Sequence, residues 1–197
     1  MEASEQSGNI LHDLKTATAH VHRRVEERLD IFSAHFNVER YVVLLQRFYG
    51  FWAPIEVHLQ HLPELCDPVL ALNERLKAHL LEADLRAFCI DPACVVKCTH
   101  LPHLHSFGRA LGCMYVLEGS TLGSQIIARH LAQRFAIDSG SGAAFFNAYG
   151  RTTGARWAEF RLFLSSHAEA SSAHELLGAA IETFELLNSW LAAGPPR

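Results

Sequence analysis

The chain has 197 residues, of which 49% are hydrophobic and 19% are charged. This length suits one domain with a substantial core, and this apolar content excludes a mostly disordered chain. The net charge of −4 argues against a general nucleic-acid binder, whose affinity depends on a basic surface. No apolar stretch reaches the roughly 18–20 residues of a membrane-spanning helix, and the polar, acidic start of the chain does not resemble a secretory signal. We therefore expect a soluble cytoplasmic protein.

The first half of the chain predicts three helices. In the first, apolar residues recur three or four positions apart, at Leu11, Leu14, Thr18, Val21, Val25 and Leu29. A second helix is predicted after Asn37, with a kink at Pro54, because the apolar spacing resumes beyond that proline. A third is predicted to begin at Asp67 and Pro68, an N-cap followed by proline at the first helical position, and to run through Leu80.

The second half continues in the same way. Asp91-Pro92 repeats the start signal for a short piece, and a long apolar-periodic stretch runs from about Ser106 to Phe135. A loop is predicted at residues 138–142 and a helix near residues 157–164. The last helix is predicted to open with a capping box, Ser172-Ala-His-Glu175.

These elements predict an all-α protein, because no segment shows the alternating pattern of a strand. We expect roughly seven or eight helices packed in one domain over residues 10–193, after a flexible N-terminal segment at residues 1–9.

His22 is the first candidate ligand. At about 100° per residue it lies about 40° from Thr18 and 60° from Val25, inside the apolar face, whereas His20 lies well outside it. An inward-facing neutral imidazole binds a metal through one nitrogen while its other N–H needs an acceptor. Glu26 lies four residues further on the same side and supplies such an acceptor, directly or through water. A core histidine satisfied by a neighbour is the alternative interpretation.

The second candidate is the motif Tyr115-Val-Leu-Glu-Gly-Ser-Thr-Leu-Gly-Ser-Gln125. Glycine costs about 1 kcal/mol relative to alanine inside a helix, so Gly119 and Gly123 need a reason. One reason is close packing of helices, and the other is a bend that carries the backbone directly over a bound ligand. The motif is not a phosphate loop, because no Gly-Lys-Ser/Thr follows, and Ser120 lacks the flanking glycines of a nucleophile elbow. Both reasons stay open.

The third candidate is a cluster with the composition of a zinc site: Cys94, Cys98, His100, His103 and His105. Its C-x-x-x-C spacing is at the edge of the usual range, and Pro102 interrupts the histidines. A histidine-rich loop that leads into the long helix is the preferred interpretation. The cysteine count, five, is odd and argues against a secreted disulfide framework.

The segment from Leu14 to Glu26 and the Tyr115–Gln125 motif together resemble the heme oxygenase family. The resemblance is closest to its bacterial, biliverdin-producing members, which often accompany bacteriophytochromes. It extends from about residue 10 to residue 191 and includes Phe48-Tyr-Gly-Phe-Trp52 and Gly154-Ala-Arg-Trp157. The resemblance implies an all-α fold in which heme lies between a proximal first helix and a kinked distal helix.

By position in these motifs, the resemblance implies the site residues. His22 matches the axial ligand of the heme iron, and Glu26 matches the carboxylate that orients it. Gly119 and Gly123 match the glycines whose backbone lies over the heme and leaves room for O2; with Ser120 they are the implied catalytic residues. The residues implied to contact heme at its propionates or its wall are Lys15, Tyr115, Arg156 and Phe184.

The implied activity is the opening of heme to biliverdin, iron and CO. Heme is both cofactor and substrate, and the reaction uses O2 and electrons from a ferredoxin- or flavodoxin-type protein or from ascorbate. A bacteriophytochrome is the implied recipient of biliverdin. Ser120 departs from the mammalian pattern, which has an aspartate there that anchors a water network. This departure keeps open a non-catalytic heme-binding or carrier protein on the same fold, beside an unrelated metal protein built on residues 94–105.

Overall fold

The computed structural model describes the backbone of residues 2–168 and 170–193 and the side chains of residues 10–168 and 173–193. Six α-helices make up most of it, and none of these residues forms a β-strand, so the predicted all-α fold is confirmed. The helices are α1 (Glu2–Leu29), α2 (Val38–Gln60), α3 (Ala78–Ala87), α4 (Phe107–Phe135), α5 (Thr153–His167) and α6 (Ala170–Ala192). Within the described ranges, no helix is long and apolar enough to cross a membrane.

The roughly seven or eight helices predicted compare with these six α-helices and five 3-10 helices of three residues each in the described ranges. The 3-10 helices are Pro63–Leu65, Leu72–Glu74, Pro92–Cys94, Phe145–Asn147 and Gly150–Thr152. The third of them is the short piece predicted at residues 91–92. The backbone is helical from Glu2 onward, and the flexible segment at residues 1–9 stays a prediction.

The predicted starts of α2 and α4 are confirmed by their caps. The side chain of Asn37 accepts a hydrogen bond from the backbone N–H of Arg40 at 3.0 Å. Ser106 Oγ accepts one from the N–H of Arg109 at 3.3 Å. Each cap satisfies one of the N–H groups that a helix start leaves without a partner in the helix. The helix α2 continues through Pro54 to Gln60.

The prediction of a helix that begins at Asp67 is wrong. The carboxylate of Asp67 closes only a turn, and Ala71 has a left-handed φ of 49°, which ends any right-handed helix. The helix α3 begins at Ala78 instead. The physical reason is tertiary: Arg75 and Lys77 are buried and bind a carboxylate on α4, which holds this segment in an irregular course.

The last helix begins earlier than predicted. Because α6 begins at Ala170, Ser172 lies inside the helix rather than at its cap, and the side chain of Ser172 lies outside the described residues. Glu175, the other half of the predicted capping box, accepts a hydrogen bond from Ser106 Oγ at 2.7 Å. This bond joins the start of α4 to the first turns of α6.

The packing on α6 positions the helices that carry the candidate residues. Both α1 and α4 pack on α6, and both also contact α5. The helices α4 and α6 approach each other closely at Gly112, where a Cβ atom would lie 2.2 Å from the carbonyl oxygen of Leu176 and 3.0 Å from Cβ of Ala179. Close packing therefore explains the glycine at this position of α4.

Candidate functional site

One face of α1 carries the predicted iron ligand and its partner. Lys15, His22 and Glu26 lie within about 40° of one another around the helix. All three are exposed, and the His22 side chain retains 50% of its surface. His22 therefore lies at the margin of the apolar stripe rather than inside it, which corrects the prediction of an inward-facing ring. The 40–60° that separate it from Thr18 and Val25 are enough to bring its imidazole to the surface.

The imidazole of His22 has two neighbours that set its orientation. Nδ1 lies 3.6 Å from Oε2 of Glu26, which is longer than a direct hydrogen bond. The ring of Phe184, a buried residue of α6, meets the imidazole edge to face with centroids 5.4 Å apart. With Nδ1 turned toward Glu26, Nε2 is the nitrogen that remains for a metal.

A second face, on α4, carries the two motif glycines. We call it the glycine face; its residues lie within about 100° around the helix, and they are Tyr115, Gly119, Leu122, Gly123 and Ile126. Leu122 and Ile126 are 46% and 59% exposed although they are apolar. A Cβ atom at Gly123 would meet no heavy atom within 4 Å, and one at Gly119 would meet only the Trp157 ring, at 3.6 Å. Neighbouring helices therefore do not explain these two glycines, and the approach of the backbone to a ligand stays a prediction.

Two ties join α1 and the loop after it to α4. The side chains of Tyr115 and Thr18 lie close enough together for Thr18 to act on the pKa of the tyrosine hydroxyl and lower it. Further along, Arg134 donates from Nη1 and Nη2 to the carbonyls of residues 33 and 34, at 2.7 and 2.8 Å. The two ties occur in the same order along the chain, from Thr18 to residues 33 and 34 on one side and from Tyr115 to Arg134 on the other. His22 and most of the glycine face lie between the ties, along roughly 28 Å of α4.

The motifs in the sequence do not indicate a cation that lies near Tyr115, that of Arg161. Burial raises the pKa of Tyr115, while the side chain of Thr18 and the nearby charge of Arg161 act to lower it. Arg161 is exposed on α5, about 40° around that helix from Trp157, whose ring centroid lies 5.6 Å from that of Tyr115. The only sequence signal was its position one turn after Trp157.

Arg156, the predicted contact on α5, lies about 140° around that helix from Arg161. Its guanidinium forms ion pairs with Glu74 at 2.8 Å and with Glu159 at 3.4 Å. It also lies over the ring of Tyr149, 5.5 Å from the centroid. The structure thus engages Arg156 with other partners and does not bring it to the Tyr115 end of the glycine face.

Ser120 and its neighbours use their hydroxyl groups within α4. Ser120 Oγ donates to the carbonyl of Leu117 at 2.7 Å, Thr121 Oγ1 to Glu118 at 2.6 Å, and Ser124 Oγ to Ser120 at 2.8 Å. Such bonds back to the preceding turn bend helices slightly. The helix nevertheless runs unbroken from Phe107 to Phe135. Because its proton is donated to Leu117, the hydroxyl of Ser120 can only accept a hydrogen bond from a water.

The zinc-like cluster has separate partners. Cys94 is exposed, whereas Cys98 is buried and donates from Sγ to the carbonyl of His100 at 3.2 Å. His103 Nδ1 lies 2.5 Å from Oε1 of Glu182 on α6. Among the described residues, no three His, Cys, Asp or Glu side chains are grouped so that they could hold a metal ion.

Comparison with known proteins agrees with the all-α fold. In fold, the chain is similar to the heme oxygenase of Neisseria meningitidis, whose structure was solved with NO and CO bound. The TM-score is 0.78 over 92% of this chain and 89% of that chain, at 22% sequence identity. No curated protein matches the chain significantly in sequence. The family model described as heme oxygenase matches residues 8–193, which include both candidate faces, and the chain therefore belongs to the heme oxygenase family.

Proposed function

We propose that this protein opens heme to biliverdin, with release of iron and CO, using O2 and electrons from an external donor. One observation carries the proposal. An exposed imidazole, oriented by a carboxylate and an aromatic ring, lies on α1 between the same two ties that bound the apolar glycine face of α4. A flat apolar ring that needs one nitrogen ligand fits these two faces.

The residues fit heme on the proximal side. His22 Nε2 would hold the iron, and Glu26, on the Nδ1 side of the ring, would fix the orientation of the imidazole. Phe184 supports the ring from α6. A neutral nitrogen donor suits this reaction, because a thiolate would push electron density toward O–O cleavage.

The residues also fit heme on the distal side. Bound heme supplies the iron that activates O2 and is itself the molecule oxidised. Gly119 and Gly123 keep side chains out of the space beside the α4 backbone, which leaves room for a small diatomic molecule. Leu122 and Ile126 supply apolar contact. Ser120 Oγ can only accept a hydrogen bond from a distal water, because its own proton is donated to Leu117.

Cations would set the in-plane orientation of heme through its propionates. Lys15 lies about 20° from His22 around α1, two turns before it. Arg161 and the Tyr115 hydroxyl lie near the first tie. We assign the propionates to this end, because a guanidinium matches a carboxylate with two parallel hydrogen bonds. In this assignment Arg161 takes the place of Arg156.

The test is to titrate the purified protein with hemin and then to add a ferredoxin with its reductase, or ascorbate. We expect a Soret band of the histidine-ligated type that decays to the spectrum of biliverdin, with CO released. A protein that binds no hemin, or binds it without any histidine signature, would contradict the proposal.

A heme carrier without turnover is the second candidate. The observation that favours it is Ser120, whose hydroxyl proton is committed to the helix and which brings no charge to the distal side. The same titration separates the two candidates: a stable histidine-type Soret band that persists under reductant and O2 would identify the carrier.

We also propose a bacterial cytoplasmic setting, a ferredoxin- or flavodoxin-type electron donor, and delivery of biliverdin to a bacteriophytochrome. The support is the resemblance of the two motifs to the phytochrome-associated branch of the family. Turnover in the presence of an apo-bacteriophytochrome should then produce the far-red absorption of the assembled photoreceptor. Biliverdin that the photoreceptor does not take up would contradict this assignment.

A further inference from the structure

The segment of α4 over residues 119–124 has little side-chain packing of its own to fix its orientation. It consists of two glycines, three residues whose hydroxyls bond within the helix, and the exposed Leu122. Interdigitation of large side chains is what normally fixes the rotation of a helix about its axis. This segment therefore depends on its two neighbours in the motif, Glu118 and Gln125.

Glu118 precedes the segment and is one of the most deeply buried charges of the protein, with 2% of its side chain exposed. Its carboxylate accepts from Arg75 Nη1 at 2.7 Å, from Lys77 Nζ, and from the hydroxyl of Tyr149 at 2.9 Å. Arg75 also donates to the backbone carbonyl of Arg156 at 3.2 Å, which extends the connection to α5. Three donors from two separate segments thus converge on one side chain of α4.

Gln125 follows the segment and is bonded to the part of the chain that contains Tyr149. Its Nε2 donates to the carbonyl of Gly150 and, at 2.8 Å, to Oγ1 of Thr153. Tyr149 belongs to this stretch as well, so both ends of the small-residue segment are fixed to residues 149–153. Glu118 and Gln125 are seven residues apart and differ by about 20° around the helix, so they share one face, which lies about 100° from the middle of the glycine face.

Stability alone does not account for this network. Two carboxylates and two cations, those of Glu56, Arg75, Lys77 and Glu118, are all buried. Glu56 completes the network by accepting from the N–H groups of Lys77 and Ala78, at 2.7 and 2.9 Å. Desolvation of such charges offsets much of their attraction, and well-packed apolar side chains often stabilise as well. What hydrogen bonds add is direction, because each has a narrow range of lengths and angles.

We propose that Glu118 and Gln125 are positioning residues, which hold α4 at the rotation that presents the glycine face to heme. The inference rests on the proposed function for its consequence, since only a protein that binds heme between these helices needs the glycine face aimed in one direction. Neither residue touches heme in this proposal. They act through the backbone of residues 119–124.

The test uses two mild variants and a matched control. Tyr149→Phe removes one donor to Glu118 and leaves Arg75 and Lys77 in place, and Gln125→Ala removes the second anchor. Tyr41→Phe is the control, because it also removes a tyrosine hydroxyl. The hydroxyl of the buried Tyr41 donates to the carbonyl of Gly142 at 2.6 Å, away from α4.

The first measurement is made on the protein without heme. We expect amide hydrogen exchange over residues 119–124 to become about tenfold faster in Tyr149→Phe and Gln125→Ala, the effect of losing one hydrogen bond to a charged or strongly polar partner. A rotation of α4 should also shift the 19F resonance of 5-fluorotryptophan at Trp157, whose ring faces Gly119. The Trp157→Phe protein assigns that resonance. Tyr41→Phe should change neither signal beyond its effect on global stability.

The second measurement uses the heme complex. The spin-state bands of ferric heme should shift in Tyr149→Phe and Gln125→Ala but not in Tyr41→Phe. Unchanged exchange and an unchanged Trp157 resonance in both anchor variants would overturn the proposal, as would equal effects from Tyr41→Phe. The heme-free measurement keeps its meaning if the protein proves to bind no heme, so failure of the positioning role and failure of the proposed function are distinguishable.

Discussion

His22 owes its suitability as a ligand to its place at the edge of the apolar stripe of α1. A histidine inside the stripe would be covered by α6, and one on the opposite side would meet only solvent. At the margin, one edge of the ring rests on Phe184 and Nδ1 turns toward Glu26, while half of the side-chain surface stays accessible. The same principle applies on α4, where Gly119 and Gly123 lie at the surface and yet among apolar side chains.

We expect His22→Ala to abolish the histidine-type spectrum of bound heme and His20→Ala to retain it. The two positions are about 160° apart on α1, so His20 points away from the face that Lys15 and Glu26 share. Absorption spectra of the ferric and the reduced, CO-bound complexes measure the difference. Loss of the histidine signature in His20→Ala with retention in His22→Ala would contradict the assignment, because the ligand would then lie on the other side of α1.

Gly123→Ala should have opposite effects on stability and on turnover. A Cβ atom there meets no heavy atom within 4 Å, and the backbone φ is not positive. Alanine should therefore raise the free energy of unfolding of the heme-free protein by up to about 1 kcal/mol. The added methyl group would project from the glycine face and slow biliverdin formation while hemin still binds. Urea unfolding and single-turnover spectra test the two parts; unchanged turnover would remove the glycine face from the site.

At the scale of elements, α4 contains glycines for two different reasons. Its first half packs on α6, and Gly112 allows the backbones to approach to a distance that no side chain permits. Its second half packs less tightly and carries the glycine face, which is held in direction by Glu118 and Gln125. One helix thus joins a closely packed segment to the surface that we propose faces heme.

Gly112→Ala should destabilise the fold, in contrast to Gly123→Ala. The new Cβ atom would lie 2.2 Å from the carbonyl oxygen of Leu176, so the helices must separate. We expect a loss of about 2 kcal/mol or more, which exceeds the gain from helix propensity. Gly178→Ala on α6 is the control, because its Cβ atom meets nothing within 4 Å. Thermal or urea unfolding decides: a Gly112→Ala protein as stable as the wild type would contradict the close crossing of α4 and α6.

At the scale of the whole molecule, the packing of α4 on α6 also changes the pKa of a residue that has no role in the site. Cys113 lies on α4 next to Gly112 and is fully buried. Burial raises the pKa of its thiol to about 12 from an ordinary value of 9.0, against the opposing effect of a hydrogen bond with Thr183. The folded protein therefore keeps this thiol protonated at pH values where the unfolded chain ionises it.

Stability should accordingly fall at alkaline pH in a way that depends on Cys113. Because the folded pKa is the higher one, the stabilising contribution is complete below about pH 9 and is lost as the pH rises toward 12. Between pH 8 and pH 10 the wild type should lose about 1 kcal/mol more than Cys113→Ala. Urea unfolding at both pH values measures this difference. Cys94→Ala, at an exposed position, should keep the wild-type slope, and an equal slope in Cys113→Ala would contradict the prediction.

Local signals in the sequence determined much of the fold. Apolar spacing and caps located α1, α2 and α4, because a helix satisfies its backbone within itself and needs only one apolar face to pack. Helical phase also placed His22 and Glu26 on one face and Tyr115 with both motif glycines on another. These relations hold within a single helix, and they follow from the 3.6-residue repeat whatever the rest of the chain does.

The relations between helices depend on tertiary contacts that local sequence patterns do not reveal. The segment after Asp67 reads as a helix start, but Arg75 and Lys77 bind Glu118 on α4, and partners that distant in sequence leave no periodic signal. For the same reason Arg161 rather than Arg156 lies near Tyr115, since the rotation of α5 against α4 selects between them. Helical periodicity therefore specifies which residues share a helix face. Which faces meet depends on the packing of α1, α4 and α5 on one another and on α6, because that packing involves side chains brought together from distant parts of the chain.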